Sequence, residues 1–530
     1  MSDPSFDLTT QPWIRVRLLD GSLAELSLRD LFARAHEVTM IAGELPTQDV
    51  AVLRLLLAIL RRSLPGERGT AAWGRLWRRG HLDPTQIEEY LDRWADRFDL
   101  LHPVAPFYQV ASLQPPKSGT KGIANLIADQ PREGRGLFTT RTGAALDTMG
   151  FAESARWLLH LHAFDSGGTK SVAAGPNRSR SARIAWCGGL GMVVIQGETL
   201  FHTLLLNLPI ASKDSDPSRD AAAWEAGLVE DEQGAVPRGP VDVLTWQSRT
   251  VRLVHEGDRV MRCIVGPGRP LTLDNRHHVE FMTNWSRRSE KTGGLVLRPR
   301  THLPGRTIWR GLPALLAEVG DDSLHPGRWR QWLSSLREDE QLGAGQLVGL
   351  RIVGVQFDSN GGSIQEGFDD GLALEADVVA SPVLRALAVS AVGDADRGAR
   401  SLGDLAKELA EAGGASGDIP GARQSIAREA GYAALDHPYR MWLRSLTADT
   451  DIDEARLAWR RTVTRHVRTL ARELVDGATP AAVTGREVSR GSGPSAKTVY
   501  LDAAIAERRF QKQIRVSFPD LYAPQKGAAE

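Results

Sequence analysis

Hydrophobic and polar residues alternate along PWIRVRLLDGSLAEL near the N-terminus, the period of two expected of a strand with one buried face. The Asp20-Gly21 pair is a short-range turn signal, so the segment predicts two strands joined as a hairpin. The period then changes. Asp83 predicts a helix N-cap, with Pro84 at the first helical position and Gln86 completing a capping box. Ile87, Leu91, Trp94, Ala95 and Phe98 then share one helical face, while Glu88, Glu89, Asp92 and Arg93 face water. Residues 112 to 147 hold no sustained period and predict a long irregular stretch. Phe151 to Phe164 reads as a helix ended by the glycine segment that follows it. Between 185 and 300, short apolar runs such as MVVIQG and VDVLTW predict strands, and LVGLRIVGVQFDS (347–359) predicts another.

Past residue 372 the pattern becomes helical throughout. Ser381-Pro382 starts a helix carrying Val383, Leu387 and Ala391. Further helices are predicted around 400–412, 423–446, 453–475 and 497–510, joined by short or glycine-rich connections such as GGASGDIPG. The expected fold class is α+β: a large mixed α/β N-terminal domain, residues 1–372, followed by a C-terminal four-helix bundle, residues 373–530.

Composition sharpens this picture. A chain of 530 residues exceeds what one hydrophobic core serves, which supports the division into domains. Its 65 basic and 65 acidic residues cancel, which argues against a surface wrapped in nucleic acid and leaves room for local basic patches. Two cysteines, Cys187 and Cys263, build no disulfide framework and no CxxC metal knuckle, so a reducing interior is the expected setting. The N-terminus has no basic-then-apolar leader, and no apolar run approaches membrane-spanning length. A soluble, cytoplasmic protein without a membrane partner is the expectation.

The segment AFDSGGTKSVAAGPNRSRSAR (163–183) raises the sharpest chemical question. A phosphate-cradling P-loop needs G-x-x-x-x-G-K-[ST] after a strand. Here Thr169 separates Gly168 from Lys170, Phe164 stands where the first glycine belongs, and a helical pattern precedes the loop. It is not a P-loop. What remains is a glycine turn in a basic region: eight Arg or Lys against four acids between residues 132 and 183. Such a turn brings a bare backbone close to a ligand, or it caps a helix and opens a solvated loop. A second basic stretch, residues 286–310, has seven Arg or Lys and one acid, and suits either phosphate contacts or a solubilising hairpin. A third is the helix 453–475. Leu457, Val463, Val467, Leu470 and Leu474 form its apolar face, and Arg456, Arg460, Arg461, Arg465, Arg468 and Arg472 occupy much of the rest. No nucleophile motif and no HExxH spacing occurs. The alternative to a binding protein is a metal-dependent nuclease or hydrolase with a dispersed site around His277, His278 and Glu280.

Several stretches in order resemble one family. FDLTTQPWIRVRLLDG resembles the N-terminal hairpin of the large subunit of the type I-E CRISPR surveillance complex, Cascade (the CasA family). NLIADQP (125–131), the GGTKS turn, LLLNLP (204–209), IWRGLPALL (308–316) and ALDHPYRMWL (434–443) agree in the same order, so the resemblance spans essentially the whole chain.

The resemblance implies a non-catalytic subunit of an RNA-guided antiviral complex. It would recognise the protospacer-adjacent motif in duplex DNA through the minor groove, promote duplex opening and R-loop formation, and help recruit the helicase–nuclease. Its partners would be guide RNA, the other Cascade subunits, double-stranded target DNA and that nuclease, with no cofactor. By position, Gly167 and Gly168 look like the family's groove-entering glycine loop, where a bare backbone fits a groove about 6 Å wide. Lys170 and Arg178 would sit over neighbouring phosphates. Lys291 is the closest match to a motif-reading lysine, with Arg287 and Arg288 as rivals for that role and as DNA-backbone contacts. Asn360, Gly361, Gly362 and Ser363 align with a strand-separating wedge that carries glutamine in well-known members. Glycine stands at that position here, and Gln365 lies two residues past the tip. Ile127 and Gln130 match the segment touching the guide-RNA handle and a neighbouring subunit. Arg461 and Arg465 on the basic helix would guide DNA strands through charge. Relatives with a cysteine cluster near residue 263 imply a zinc site that the lone Cys263 does not support.

Overall fold

The computed structural model describes residues 4–64, 69–116, 119–128, 141–172, 180–208, 219–226, 236–290, 294–316, 324–490 and 497–522. The chain divides into two compact units. One comprises residues 1–306 with 317–371, the other 307–316 with 372–530.

The first unit mixes small antiparallel sheets with helices. Ile14–Leu18 pairs with Leu23–Leu26 across the Asp20-Gly21 turn and with Val38–Ile41 on its other edge. Gly21 takes φ +87°, which a side chain resists, so the turn needs glycine there. Asp83 caps the helix Pro84–Arg93 by accepting from the Thr85 N–H at 3.1 Å. The centre of the unit is built around two helices, Pro46–Ser63 and Phe151–Phe164, both buried along most of their length. A helix buried on every side must satisfy whatever charge it carries. Arg54 does so by a two-pronged ion pair to Glu280 at 3.2 and 2.9 Å, with a further bond to the Val243 carbonyl.

Two antiparallel assemblies adjoin the segment 163–171. Arg249–Glu256 and Arg259–Pro267 form a long hairpin. Leu347–Phe357 lies between Met192–Gln196 and Ile364–Glu375, and its hairpin with the latter ends in a turn at 358–363.

The run VDVLTW is a short helix, Pro240–Leu244, and not the predicted strand. Pro240 supplies a helical φ at the first position. The buried carboxylate of Asp220 accepts from the Val241 and Asp242 N–H groups at 3.2 and 3.1 Å, a cap delivered from about twenty residues away that no local pattern reveals.

The second unit is the helical C-terminal region, with Pro382–Ala412, Ile419–Arg444, Ile452–Asp476 and Ala503–Ser517 as its long helices. Trp459 fills its interior and donates its indole N–H to the Ala391 carbonyl at 2.8 Å; Tyr439 donates to Ala388 at 2.9 Å. Pro382–Ala412 is one helix of 31 residues where the sequence suggested two. Its glycines explain the break in pattern: a Cβ on Gly398 would stand 2.7 Å from Val463 and 3.1 Å from Val467, so the glycine admits the neighbouring helix. The last predicted helix begins later than expected. Lys497–Leu501 is a strand paired with Arg486–Arg490, and Asp502 then caps Ala503–Ser517 through the Ile505 N–H at 2.7 Å. The β-branched Thr498 and Val499 favour the strand.

Candidate nucleic-acid interface

The glycine segment follows directly from the helix Phe151–Phe164. Asp165 ends that helix in an extended conformation, and Ser166 to Gly168 turn into a two-stranded ribbon, Gly168–Thr169 against Ser181–Ala182. The two glycines do different work. Gly168 is exposed at φ +102° with open space where a Cβ would stand, so backbone conformation demands glycine there. At Gly167 the demand is room: a Cβ would sit 3.2 Å from the Ala182 carbonyl and 3.3 Å from that of Gly361.

A buried ionic cluster holds the turn from beneath. Arg249 donates Nε to the Asp165 carboxylate at 2.5 Å, and its Nη2 reaches the carbonyls of Asp165, Ser166 and Arg183 at 3.2, 2.9 and 2.9 Å. One guanidinium thereby grips both the entry and the exit of the turn, a task its planar fork suits. Lys170 donates Nζ to the same carboxylate at 2.6 Å and to the Ser166 carbonyl at 2.7 Å. Burial would raise the Asp165 pKa, but the two cations outweigh it and hold it down at about 2. Lys170 therefore differs from the expected phosphate contact. Its charge is committed below the turn, and the cluster of two cations and one anion leaves net positive charge under the exposed backbone. Arg180 and Arg183 are exposed beside the turn, and neither side chain has a hydrogen-bond or ion-pair partner among the described residues.

The turn at 358–363 touches the glycine turn. Asp358 accepts from the N–H groups of Asn360 and Gly362 at 3.1 and 2.8 Å and from the Ser363 hydroxyl at 2.6 Å. These bonds lower the Asp358 pKa, the Ser363 hydroxyl first among them. Gly361 takes φ +69°, its position for a Cβ is 3.0 Å from Ile184, and its carbonyl accepts from the Gly167 N–H at 2.8 Å. Ser359 and Asn360 project into solvent, Gly362 and Ser363 are half-buried, and Gln356 and Gln365 are exposed on the flanking strands.

The remaining expected residues lie on other elements. Arg287 is half-buried and Arg288 exposed on the strand Trp285–Ser289, opposite Leu297 and Val296, with no side-chain partner among the described residues. Arg461 and Arg465 are exposed and likewise unpaired among the described residues, as is Arg472. Arg456 pairs with Asp453 and Arg460 with Asp394, which removes them from the free charge of that helix. Ile127 is fully buried, so its side chain serves the fold and is not presented to a partner. Arg178, Lys291 and Gln130 lie outside the described residues.

The dispersed hydrolytic site does not form from the residues suggested for it. Glu280 turns inward to Arg54 and accepts from the Trp186 indole at 2.8 Å. Among the described residues no group of three or more His, Cys, Asp or Glu could hold a metal ion. No helix among the described residues is long and apolar enough to cross a membrane.

Sequence reasoning missed Arg249, Ile184 and Asp358. Arg249 and Ile184 have no local signature, since their roles depend on contacts distant along the chain. Asp358 did carry a signal: Asp-x-x-Gly is a pattern of side-chain-capped turns.

The sequence model of the family "CRISPR-associated protein Cse1" matches residues 7–470. The chain belongs to this family. A curated relative, the CRISPR-associated protein CasA/Cse1 of Thermus thermophilus, is 34% identical over 360 residues, covering 66% of this chain and 67% of the relative. The crystal structure of Thermobifida fusca Cse1 superposes with a TM-score of 0.87 at 33% identity, covering 97% of this chain and 98% of that one. A chain in a CRISPR RNA-guided surveillance complex shares the fold, with a TM-score of 0.66 at 21% identity and coverage of 89% and 99%.

Proposed function

We propose that this chain is the large, non-catalytic subunit of an RNA-guided Cascade surveillance complex, that it inspects duplex DNA for the protospacer-adjacent motif, and that it helps to open the duplex beside it. Guide RNA, the other subunits, target DNA and a recruited helicase–nuclease are its partners. The observation that carries the reading is an exposed glycine backbone over a buried net positive charge, hydrogen-bonded to a protruding hairpin tip. A bare peptide enters the minor groove where a side chain would collide, and minor-groove readout tolerates related motifs. Asn360 to Ser363 form the wedge, with Gln365 close behind. Unstacking a base step costs a few kcal/mol, which the complex recovers through guide pairing and protein contacts. Lys291 contributes to motif reading; Arg178, Arg287 and Arg288 contact phosphates, joined by Arg180 and Arg183. The segment containing Ile127 and Gln130 meets the guide-RNA handle, and Arg461 and Arg465 steer DNA strands.

The test is Gly168→Val in the assembled complex. No atom lies within 4 Å of a Cβ there, but the φ of +102° strains any side chain, so the circular dichroism spectrum of the variant and its assembly into the complex must match wild type for the binding result to count. A gel shift with motif-bearing duplex is expected to show at least a tenfold loss of affinity. Unchanged binding would refute the glycine turn as the reading element.

A further inference from the structure

The glycine turn and the hairpin tip come from segments nearly two hundred residues apart, yet they meet through backbone. Gly167 donates its N–H to the Gly361 carbonyl at 2.8 Å. Neither partner has room to change. A Cβ on Gly167 would press on that same carbonyl at 3.3 Å, and one on Gly361 would press on Ile184 at 3.0 Å. Ile184 thus lies against the tip, while its backbone N lies 3.4 Å from the same Gly167 position. Its chain neighbours are anchored as well. Arg183 gives its carbonyl to Arg249, and the Ala185 N–H donates to the Asp165 carbonyl at 2.9 Å.

The exposed groups sit one residue to either side of the connecting bond: Gly168 follows Gly167, and Asn360 precedes Gly361. With Cα atoms 3.8 Å apart along the chain and a 2.8 Å hydrogen bond between the two segments, the two exposed points lie no more than about 14 Å apart. That is at most about four base steps at about 3.4 Å each, short enough for the two points to meet a short motif and the base pairs next to it.

We propose that the Ser166–Gly168 turn and the Asp358–Ser363 tip act as one mechanical unit, joined by the Gly167–Gly361 hydrogen bond and supported by Ile184, so that reading the duplex and parting its strands are coupled. This rests on the functional reading of the two elements given above. Seating the turn in the groove fixes the register of the tip against the neighbouring base pairs, and any displacement of the turn is passed to the tip through the shared bond. Ile184 is the positioning residue in this arrangement. It acts through Gly361 and touches no DNA itself.

The experiment uses the assembled complex with guide RNA and two targets that carry the same motif. One is a closed duplex with 2-aminopurine at the first base pair beside the motif; the other is pre-opened there by mismatches. Ile184→Ala removes the support under the tip. It is expected to slow opening of the closed duplex about tenfold, the scale of losing one well-formed contact, and to leave affinity for the pre-opened target within twofold of wild type. Ile184→Val should restore most of the rate. Gly361→Ala, which pushes the tip off Ile184, should give the same split between targets. Wild-type opening rates in both Ile184→Ala and Gly361→Ala would overturn the coupling. So would an equal loss on both targets, which marks a merely structural role. If the wild-type complex opened motif-bearing and motif-free duplexes alike, the functional reading itself would fail, and the coupling with it.

Discussion

Two histidines on the helix Phe151–Phe164 are two residues apart and both sit in the interior of the first unit. His160 shares a hydrogen bond of 2.9 Å with the Thr47 hydroxyl, and His162 meets the Tyr108 carbonyl at 2.9 Å. A carbonyl only accepts, so His162 Nε2 carries the proton. Burial disfavours the charged ring and lowers both pKa values from 6.5 to about 4. The sign follows from linkage. Between pH 6.5 and 4 the unfolded chain binds protons that the folded chain refuses, so stability is complete above 6.5 and falls as pH drops through that window. Each histidine contributes a slope of up to about 1.4 kcal/mol per pH unit. Urea unfolding at pH 7, 6 and 5 should show this decline, and His162→Gln should reduce its slope by about one proton's worth. A variant slope equal to that of wild type would mean that His162 takes up its proton over the same pH range in the folded and unfolded chains. Asp165, held near pKa 2 by Arg249 and then Lys170, adds a separate loss at lower pH, below the ordinary aspartate range.

Glycines in the long helix Pro382–Ala412 give opposite expectations within one element. At Gly398 a side chain would meet Val463 and Val467 at 2.7 and 3.1 Å, so Gly398→Val overpacks the helix contact and should cost about 1–3 kcal/mol. At Gly393 a Cβ would meet only the end of the flexible Arg397 side chain at 3.8 Å, so Gly393→Ala should stabilise by about 0.5–1 kcal/mol through helix propensity. Thermal unfolding of the two variants checks both signs, and a shift of the same sign in both would reject the packing argument. These glycines also show what could be read from the chain. The helical period of this region and the N-terminal Asp-Gly hairpin were legible because both depend on neighbours three to five residues away. Gly398 was not, since its partners lie more than sixty residues further on, and the sequence shows only an apparent interruption. The same holds at the candidate site. The exposed glycine turn was visible as Gly167-Gly168, but the Asp165–Arg249 clamp beneath it and the committed role of Lys170 emerge only once the chain is folded.

For the molecule as a whole, zero net charge constrains how it would hold the duplex proposed as its target. Long-range attraction averages out, so affinity must come from local patches that survive the cancellation by internal ion pairs. On the helix Ile452–Asp476, pairing consumes Arg456 and Arg460 and leaves Arg461, Arg465 and Arg472 exposed, four and then seven residues apart and hence on one face. Under the proposed function such a stripe would contact phosphates without reading bases. Each phosphate neutralised along a single strand releases counterions worth about 0.7 in the slope of log affinity against log salt. Replacing all three arginines by glutamine in the assembled complex should therefore lower that slope by about 2. Affinity should fall for every target alike, with the preference for the motif unchanged. Titrations at several salt concentrations, with motif-bearing and motif-free duplexes in parallel, separate the two effects. A selective loss on the motif-bearing duplex alone would assign these arginines to recognition and overturn the proposed division of labour, in which a glycine backbone reads and an arginine stripe holds.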